Sequence, residues 1–125
     1  MDQPFELLGI SPVVAVADLR AAADFYARHL GFELAFLSAD ETYGVLTLQG
    51  QALHLVRAAD EAALAATARH CSFRLRVTGI DALWAAVLAS APPTRVRALR
   101  SEPWGGREFH LLDLDGALIQ VAEEA

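Results

Sequence analysis

Short apolar runs separated by turn residues make up most of the chain, and each half also contains one segment of helical periodicity. In the first half, residues 10–17 form an apolar, β-branched run that predicts a strand. Asp18 then occupies an N-cap position, apolar residues recur at helical spacing as far as Leu30, and Gly31 is a natural C-terminal stop. Three further strands are predicted at residues 32–37, 43–48 and 52–56.

The second half follows the same order after a segment of different character. Residues 58–69 are rich in alanine and carry only Leu64 as a large apolar anchor, so we interpret them as a linker that can hold a short exposed helix. Residues 72–77 predict a strand, and Thr78 and Asp81 match the Thr-x-x-Asp pattern of a capped helix N-terminus. Helical spacing runs from Ile80 to Leu88. The last strands are predicted at residues 96–99, 108–112 and 117–121.

The two halves align with each other, which indicates an internal repeat. Val16 corresponds to Val77 and Leu19 to Ile80, and residues 50–55 correspond to residues 116–121. The sequence therefore predicts one domain of the α+β class, residues 1–125, built from two tandem βαβββ modules. The modules lie at about residues 10–57 and 70–122, with the linker 58–69 between them. Joined edge to edge, they would form a curved mixed sheet around a cleft, with the helices on the outer face.

Composition and charge narrow the classes of partner. The chain has 125 residues, of which 54% are hydrophobic and 21% charged, as is typical of one globular domain. The net charge of −6 disfavours nucleic acid and is compatible with cationic or neutral small ligands. Charges interrupt every apolar run, so no membrane span is predicted. The single cysteine, Cys71, cannot form an internal disulfide, which favours a reducing, cytoplasmic setting.

From about residue 10 to residue 122 the sequence resembles the vicinal oxygen chelate superfamily, which includes glyoxalase I, extradiol dioxygenases, fosfomycin-resistance enzymes and bleomycin-resistance proteins. The motifs that carry the resemblance are residues 11–18, Phe25-Tyr26, Leu30-Gly31-Phe32, Trp104-Gly105-Gly106-Arg107-Glu108-Phe109 and residues 112–116. The tail that begins at Trp104 is most similar to the bleomycin-resistance branch. That branch binds ligands without a metal, typically as a dimer whose grooves lie between subunits. The resemblance thus implies a homodimer that sequesters an antibiotic-like, aromatic or cationic small molecule.

Metal-using members of the superfamily place ligands on the first and last strands of each repeat. The four corresponding positions in this chain are Ser11, His54, Ser72 and Gln120. Divalent metals of this family need imidazole and carboxylate donors, so this set predicts no metal and no cofactor. The alternative is a glyoxalase- or dioxygenase-type metalloenzyme with a shifted site made of His54, His70 and His110. His70 is two residues upstream of Ser72 and is therefore predicted to lie on the same strand face.

Strand alternation and the glycine-rich loop select the candidate ligand-binding residues. His54, His110 and Gln120 each lie between apolar neighbours and are expected to face the cleft. Trp104 follows a proline in a glycine-rich loop, where its ring could stack on an aromatic ligand or pack at a dimer interface. Arg74 also faces the cleft, and pairing with a neighbour such as Glu108 is favoured over pairing with an anionic ligand. The predicted site is therefore His54, Arg74, Trp104, His110 and Gln120.

Overall fold

The computed structural model describes residues 4–125, which form eight strands and three helices. The first module contains β1 (Val13–Val16), α1 (Leu19–Leu30), β2 (Glu33–Leu37), β3 (Tyr43–Leu48) and β4 (Gln51–Arg57). The helix α2 (Glu61–His70) follows it. The second module contains β5 (Ser72–Arg76), α3 (Ile80–Ser90), β6 (Val96–Ser101), β7 (Arg107–Leu112) and β8 (Leu118–Glu123). The predicted α+β class and the two βαβββ modules are confirmed.

Each module forms its own four-stranded mixed sheet. Sheet 1 has the order β1-β4-β3-β2 and sheet 2 has the equivalent order β5-β8-β7-β6. In each sheet the first strand is parallel to the last, and the other neighbours are antiparallel. Within residues 4–125 no strand of one sheet is hydrogen-bonded to the other sheet, so the sheets stay open instead of joining edge to edge. The modules meet instead through helices α1 and α3, which pack against each other.

The ends of α1 follow directly from the sequence. The Asp18 carboxylate accepts a hydrogen bond from the Ala21 N–H at 3.0 Å and so satisfies one of the free amides of the first turn. Gly31 ends the helix in the left-handed conformation with φ 83°, which glycine adopts without steric cost. Between these ends, the helix buries one face that includes Leu19, Tyr26 and Leu30. The prediction for this helix is confirmed at both ends.

Most of the segment that we interpreted as a linker, residues 58–69, forms helix α2. The Asp60 carboxylate caps it by accepting from the Ala63 N–H at 2.9 Å. The helix docks on β1 through the buried Thr67, whose hydroxyl donates to the Ala15 carbonyl at 3.1 Å. Small side chains make this contact, which is why the segment lacks the large apolar stripe of a packed helix. His70 is the last residue of the helix, so the prediction that it shares a strand face with Ser72 is wrong.

Two other local predictions are also wrong. Thr78 does not cap α3, because the N-cap residue is Gly79, with φ 76° and no side-chain hydrogen bond. The first amide of that helix, Ile80 N–H, donates to the Glu123 carboxylate at 3.2 Å, and Asp81 binds the Arg107 guanidinium instead. The first strand is shorter than residues 10–17, since the ladder with β4 begins only at Val13.

Within residues 4–125, each helix falls short of the length and apolar character that a membrane crossing requires.

A buried hydrogen bond joins the two modules. The Tyr26 hydroxyl on α1 donates to Asp113 Oδ2 at 2.7 Å, and both residues are buried. The other carboxylate oxygen of Asp113 accepts from the Asp115 and Ala117 N–H groups of the turn between β7 and β8, each at 2.9 Å. Burial and the neighbouring Asp113 carboxylate raise the pKa of Tyr26 well above its ordinary value. Asp113 therefore shapes its turn and anchors the first module to the second.

Replacing Tyr26 with phenylalanine should lower the free energy of unfolding by about 1–2 kcal/mol, since the variant loses a buried hydrogen bond to a charged group. Urea denaturation at neutral pH measures the change. The matched control is Tyr43→Phe, which removes a hydroxyl from a tyrosine that is 36% exposed and should cost less than about 0.5 kcal/mol. Equal losses in the two variants would contradict an anchoring role for Tyr26.

Candidate functional site

Each sheet has one face that packs on the helices and one that points away from them, which we call its free face. Residues that are paired across neighbouring strands lie on the same face of a sheet. On sheet 1, the ladders align Val13, His54, Val45 and Phe36 in one row of the free face. Val13 is 58% exposed and Phe36 is 53% exposed. The free face of sheet 1 is thus mainly apolar, and His54, hydrogen-bonded to the Tyr43 hydroxyl, is its polar centre.

The free face of sheet 2 is polar at the equivalent positions. One row across its strands is Arg74, Gln120, His110 and Arg97. The next row is Arg76, Ala122, Glu108 and Arg100. Four of the five predicted site residues are therefore on or beside this face, while His54 lies on the other sheet. Strand alternation correctly assigned the side chains to free faces, but it could not show that the two faces belong to separate sheets.

Glu108 connects three of the predicted residues. Its side chain is only 2% exposed, and its carboxylate accepts hydrogen bonds from three donors. The Arg74 guanidinium donates at 2.8 Å, the His110 ring at 2.9 Å and the Trp104 indole N–H at 3.1 Å. The hydrogen bond from Arg74, reinforced by those from His110 and Trp104, outweighs burial and lowers the pKa of Glu108 to about 2. The carboxylate is thus charged and fully partnered at neutral pH.

The hydrogen bonds of Glu108 fix the orientation of its neighbours. An ionised carboxylate can only accept, so His110 Nε2 carries a proton and the ring has its other nitrogen left for a further contact. Trp104 is 65% exposed as a residue, although its indole N–H is bonded to Glu108. Gln120 is also oriented, because it accepts from Arg74 at 3.1 Å and donates to the Ser72 hydroxyl at 3.0 Å. The expected Arg74–Glu108 ion pair is present, and its role as the centre of this network was not foreseen.

A second buried carboxylate lies near the outer edge of sheet 2. Glu102 is 6% exposed and accepts from both Arg97 and Arg100. The Nε atom of Arg97 is buried and has no hydrogen-bond partner within the described residues. Neither Glu102 nor Arg97 was selected from the sequence. Alternation along β6 would have placed Arg97 and Arg100 on opposite faces. Both lie on the free face because the ladder between β6 and β7 is irregular between them, and the sequence gives no sign of that.

Two cavities differ in their position relative to the predicted site residues. One of about 190 Å³ lies between the C-terminal ends of α1 and α3, and its lining includes Phe25, His29 and Ser90. It contains none of the predicted site residues. The other, of about 110 Å³, lies on the free face of sheet 2. It is lined by Arg95, Arg97, His110, Leu111, Leu112 and Leu118.

The side chains at the positions of the superfamily's metal ligands do not fit a divalent metal. Gln120 is already engaged with Ser72 and Arg74, and His54 Nδ1 is engaged with Tyr43. Hydroxyl and amide oxygens are weak ligands beside the imidazole and carboxylate donors that such metals require. In the part of the chain that the structure describes, no three His, Cys, Asp or Glu side chains form a group that could hold a metal ion. The shifted set of His54, His70 and His110 is not brought together.

Two tandem βαβββ modules, each with a four-stranded mixed sheet that keeps one face free of helices, define the class of this α+β domain. The chain belongs to the Glyoxalase/Bleomycin resistance protein/Dioxygenase superfamily, whose family model matches residues 9–121. This confirms the family resemblance of the sequence. No protein of curated function matches the sequence significantly.

Several solved structures are similar to this chain. A glyoxalase/bleomycin resistance protein from Catenulispora acidiphila DSM 44928 is 28% identical, with TM-score 0.73 over 95% of this chain and 100% of that one. A bleomycin-binding protein solved in complex with bleomycin is 22% identical, with TM-score 0.76 over 94% and 98%. TnmS3, an antibiotic binding protein from Streptomyces sp. CB03234, is 21% identical, with TM-score 0.75 over 99% and 100%. The similarity to the last two structures establishes the fold.

Proposed function

We propose that this protein is a metal-independent binder of an aromatic, antibiotic-like small molecule and acts by sequestration. The observation that carries the proposal is the way Glu108 holds Trp104. The indole N–H is bonded to a buried carboxylate, while the residue as a whole stays 65% exposed beside the polar row of sheet 2. A ring fixed in this way can stack on a ligand with little further loss of conformational freedom, and such stacking contributes about 0.5–1.5 kcal/mol beyond burial.

The state of the central carboxylate supports binding over acid–base catalysis. A general acid or base works best when its pKa lies near the working pH. The pKa of Glu108 is held at about 2, and each of its partners is a donor that stabilises the charged form. His110 has one ring nitrogen committed to the same carboxylate. These groups are suited to hold the shape and charge of a binding surface.

We further propose that the protein is a homodimer, with the site between copies. The two free faces belong to separate sheets of one copy, and a second copy can place the polar face of sheet 2 against the apolar face of sheet 1. The apolar face of sheet 1 and the exposed side chains of Phe5, Leu8 and Ile10 give each copy apolar surface to bury. The bleomycin complex of one similar protein, and the description of TnmS3 as an antibiotic binding protein, support a small-molecule ligand for this arrangement. Sedimentation equilibrium tests the assembly, and a monomer at micromolar concentration would contradict it.

The ligand class rests on two features of different strength. Trp104 favours an aromatic ligand. The net charge of −6 favours the accumulation of a cationic one near the protein. Glu102 and Glu108 both have arginine partners, so a cation that approaches either carboxylate has to displace an arginine. We therefore propose that an aromatic body is the main feature of the ligand and that a positive charge is a secondary one.

Titration of bleomycin and a panel of cationic and neutral aromatic antibiotics, by calorimetry in the presence of a chelator, tests the proposal. Trp104→Ala should weaken binding by about three- to ten-fold, because the stacking surface is lost. His54→Ala should weaken it as well, since His54 is the polar centre of the facing surface. Leu88→Ala, an exposed side chain on α3, is the control and should leave affinity unchanged. Binding that depends on an added metal, or that neither site variant affects, would refute the proposal.

A further inference from the structure

The cavity of about 190 Å³ between the C-terminal ends of α1 and α3 is lined by a buried imidazole, that of His29. No residue that lines this cavity belongs to a strand, so it is separate from both free faces. His29 is 5% exposed, and its Nδ1 is hydrogen-bonded to Ser90 Oγ, whereas its Nε2 has no partner within residues 4–125. In that range Arg97 Nε is the one fully enclosed side-chain atom without a partner, so His29 Nε2 is not enclosed. A molecule in the cavity can therefore reach it.

The Ser90 hydroxyl fixes the tautomer of His29. A hydroxyl carries one proton, and Ser90 donates it to the Val87 carbonyl at 2.9 Å. Ser90 Oγ therefore accepts from His29 at 2.8 Å, and Nδ1 carries the ring proton. Burial and, to a smaller extent, the charge of Arg28 lower the pKa of His29, which favours the neutral ring at neutral pH. In that form Nε2 has a lone pair and can only accept a hydrogen bond.

The walls and size of the cavity suit a single aromatic ring. The Phe25 ring packs against the His29 ring with centroids 4.7 Å apart, which holds the imidazole in place. Phe25, Pro93 and Leu114 supply apolar lining surface. A cavity of about 150 Å³ accommodates benzene, so one of about 190 Å³ has room for a six-membered ring with a small substituent. The C-terminal ends of two helices border the cavity, and their partial negative charge favours a hydrogen-bond donor over an acceptor.

We propose that this cavity is a second binding site, which takes a neutral one-ring molecule that donates a hydrogen bond to His29 Nε2, such as a phenol or an aromatic amine. The two charged residues that line the cavity, Asp24 and Arg28, pair with each other at 3.2 Å, so the site has no local excess of charge. The site is independent of the function proposed above, because its residues lie on helices and turns. A ligand bound there contacts both α1 and the end of α3 and stabilises the contact between the two modules.

NMR titration with phenol and 4-methylpyridine at about pH 8, where both molecules and the imidazole are neutral, tests the site. The two molecules have the same number of non-hydrogen atoms, but phenol donates a hydrogen bond and 4-methylpyridine only accepts one. Phenol should bind about ten-fold more tightly, because 4-methylpyridine covers Nε2 without supplying a donor. Phenol should also move the Nε2 resonance of His29 and the amide resonances of Ser90 and Ala91. His29→Phe should weaken phenol binding by about five- to ten-fold and abolish the preference between the two molecules.

Leu114→Ala is a second variant that keeps the test informative if His29→Phe fails to fold. Leu114 is 46% exposed, so its truncation should leave the fold intact and weaken phenol binding by about two- to three-fold through the loss of apolar wall. Leu88→Ala is the control, because this exposed side chain of α3 does not line the cavity and should leave phenol binding unchanged. Equal affinity for phenol and 4-methylpyridine, an unmoved His29 Nε2 resonance, or shifts confined to the free faces would overturn the proposal and leave water as the occupant of the cavity.

Discussion

Replacing Gly116 with alanine should lower the free energy of unfolding by about 2–4 kcal/mol, the largest effect expected of any glycine-to-alanine replacement in this chain. Gly116 has φ 91°, which a residue with a Cβ adopts only with strain. A Cβ at this position would also lie 2.9 Å from the Ala68 Cβ and 3.1 Å from the Ala68 Cα. The second contact involves the backbone of α2, so the clash cannot be relieved by rotating a side chain.

The internal repeat supplies the control for this prediction. Gly50 corresponds to Gly116 in the first module and has φ 79°, but a Cβ there would meet no atom within 4 Å. Gly50→Ala should therefore cost only the conformational strain, about 1 kcal/mol. Urea denaturation of both variants gives the difference, which reports the packing of α2 against the turn before β8. Equal losses would mean that α2 moves away from the turn freely.

Replacing Glu108 with glutamine should lower the free energy of unfolding by about 2–3 kcal/mol and weaken ligand binding as well. The variant keeps the volume of the side chain but loses the charge that Arg74 and His110 contact. Arg74 is 35% exposed, so water compensates it in part and the loss is smaller than for a fully buried pair. Asp81→Asn, in the exposed pair with Arg107, is the control and should cost much less, because solvent screens that pair.

The pH dependence of stability gives a second measurement on the same variant. The pKa of Glu108 is about 2 in the folded protein, whereas a glutamate in an unfolded chain has a pKa of about 4.3. Its charge therefore stabilises the fold fully above about pH 4.3, and that contribution is lost as the pH falls through about 2. The difference in stability between the wild type and Glu108→Gln should shrink over this interval. A constant difference would show that Glu108 titrates normally.

Local signals in the sequence predicted those parts of the fold that short-range interactions determine. Asp18 and Gly31 bound α1 because a cap needs only its own backbone neighbours. The Thr78 cap failed because a distant residue, Glu123, supplies the acceptor for the first amide of α3. Helix α2 was missed as a packed element because its contact with Gly116 is made by Ala68, which adds nothing to a hydrophobic stripe.

For the candidate site, the sequence predicted which face of its sheet a strand residue occupies, but not how the faces are arranged in the molecule. Alternation along β5, β7 and β8 correctly placed Arg74, His110 and Gln120 on one surface. Alternation could not predict the hydrogen bond from Trp104 to Glu108, because the path of a glycine-rich loop is not periodic. It also could not show that His54 lies on a separate sheet, since that depends on how the two modules pack. Whether these five residues bind one ligand remains a prediction.

The pairing of His29 with Ser90 has a consequence for the symmetry of the whole domain. The two side chains are hydrogen-bonded at 2.8 Å, and they occupy equivalent positions of α1 and α3. Equivalent positions touch only at an approximate two-fold axis, which therefore passes between these helices. Two separate half-domains related by that axis would need the same residue on both sides. Covalent fusion removes this constraint, and it allows an exposed apolar residue, Val13, on the free face of sheet 1 where its counterpart Arg74 on sheet 2 binds a carboxylate.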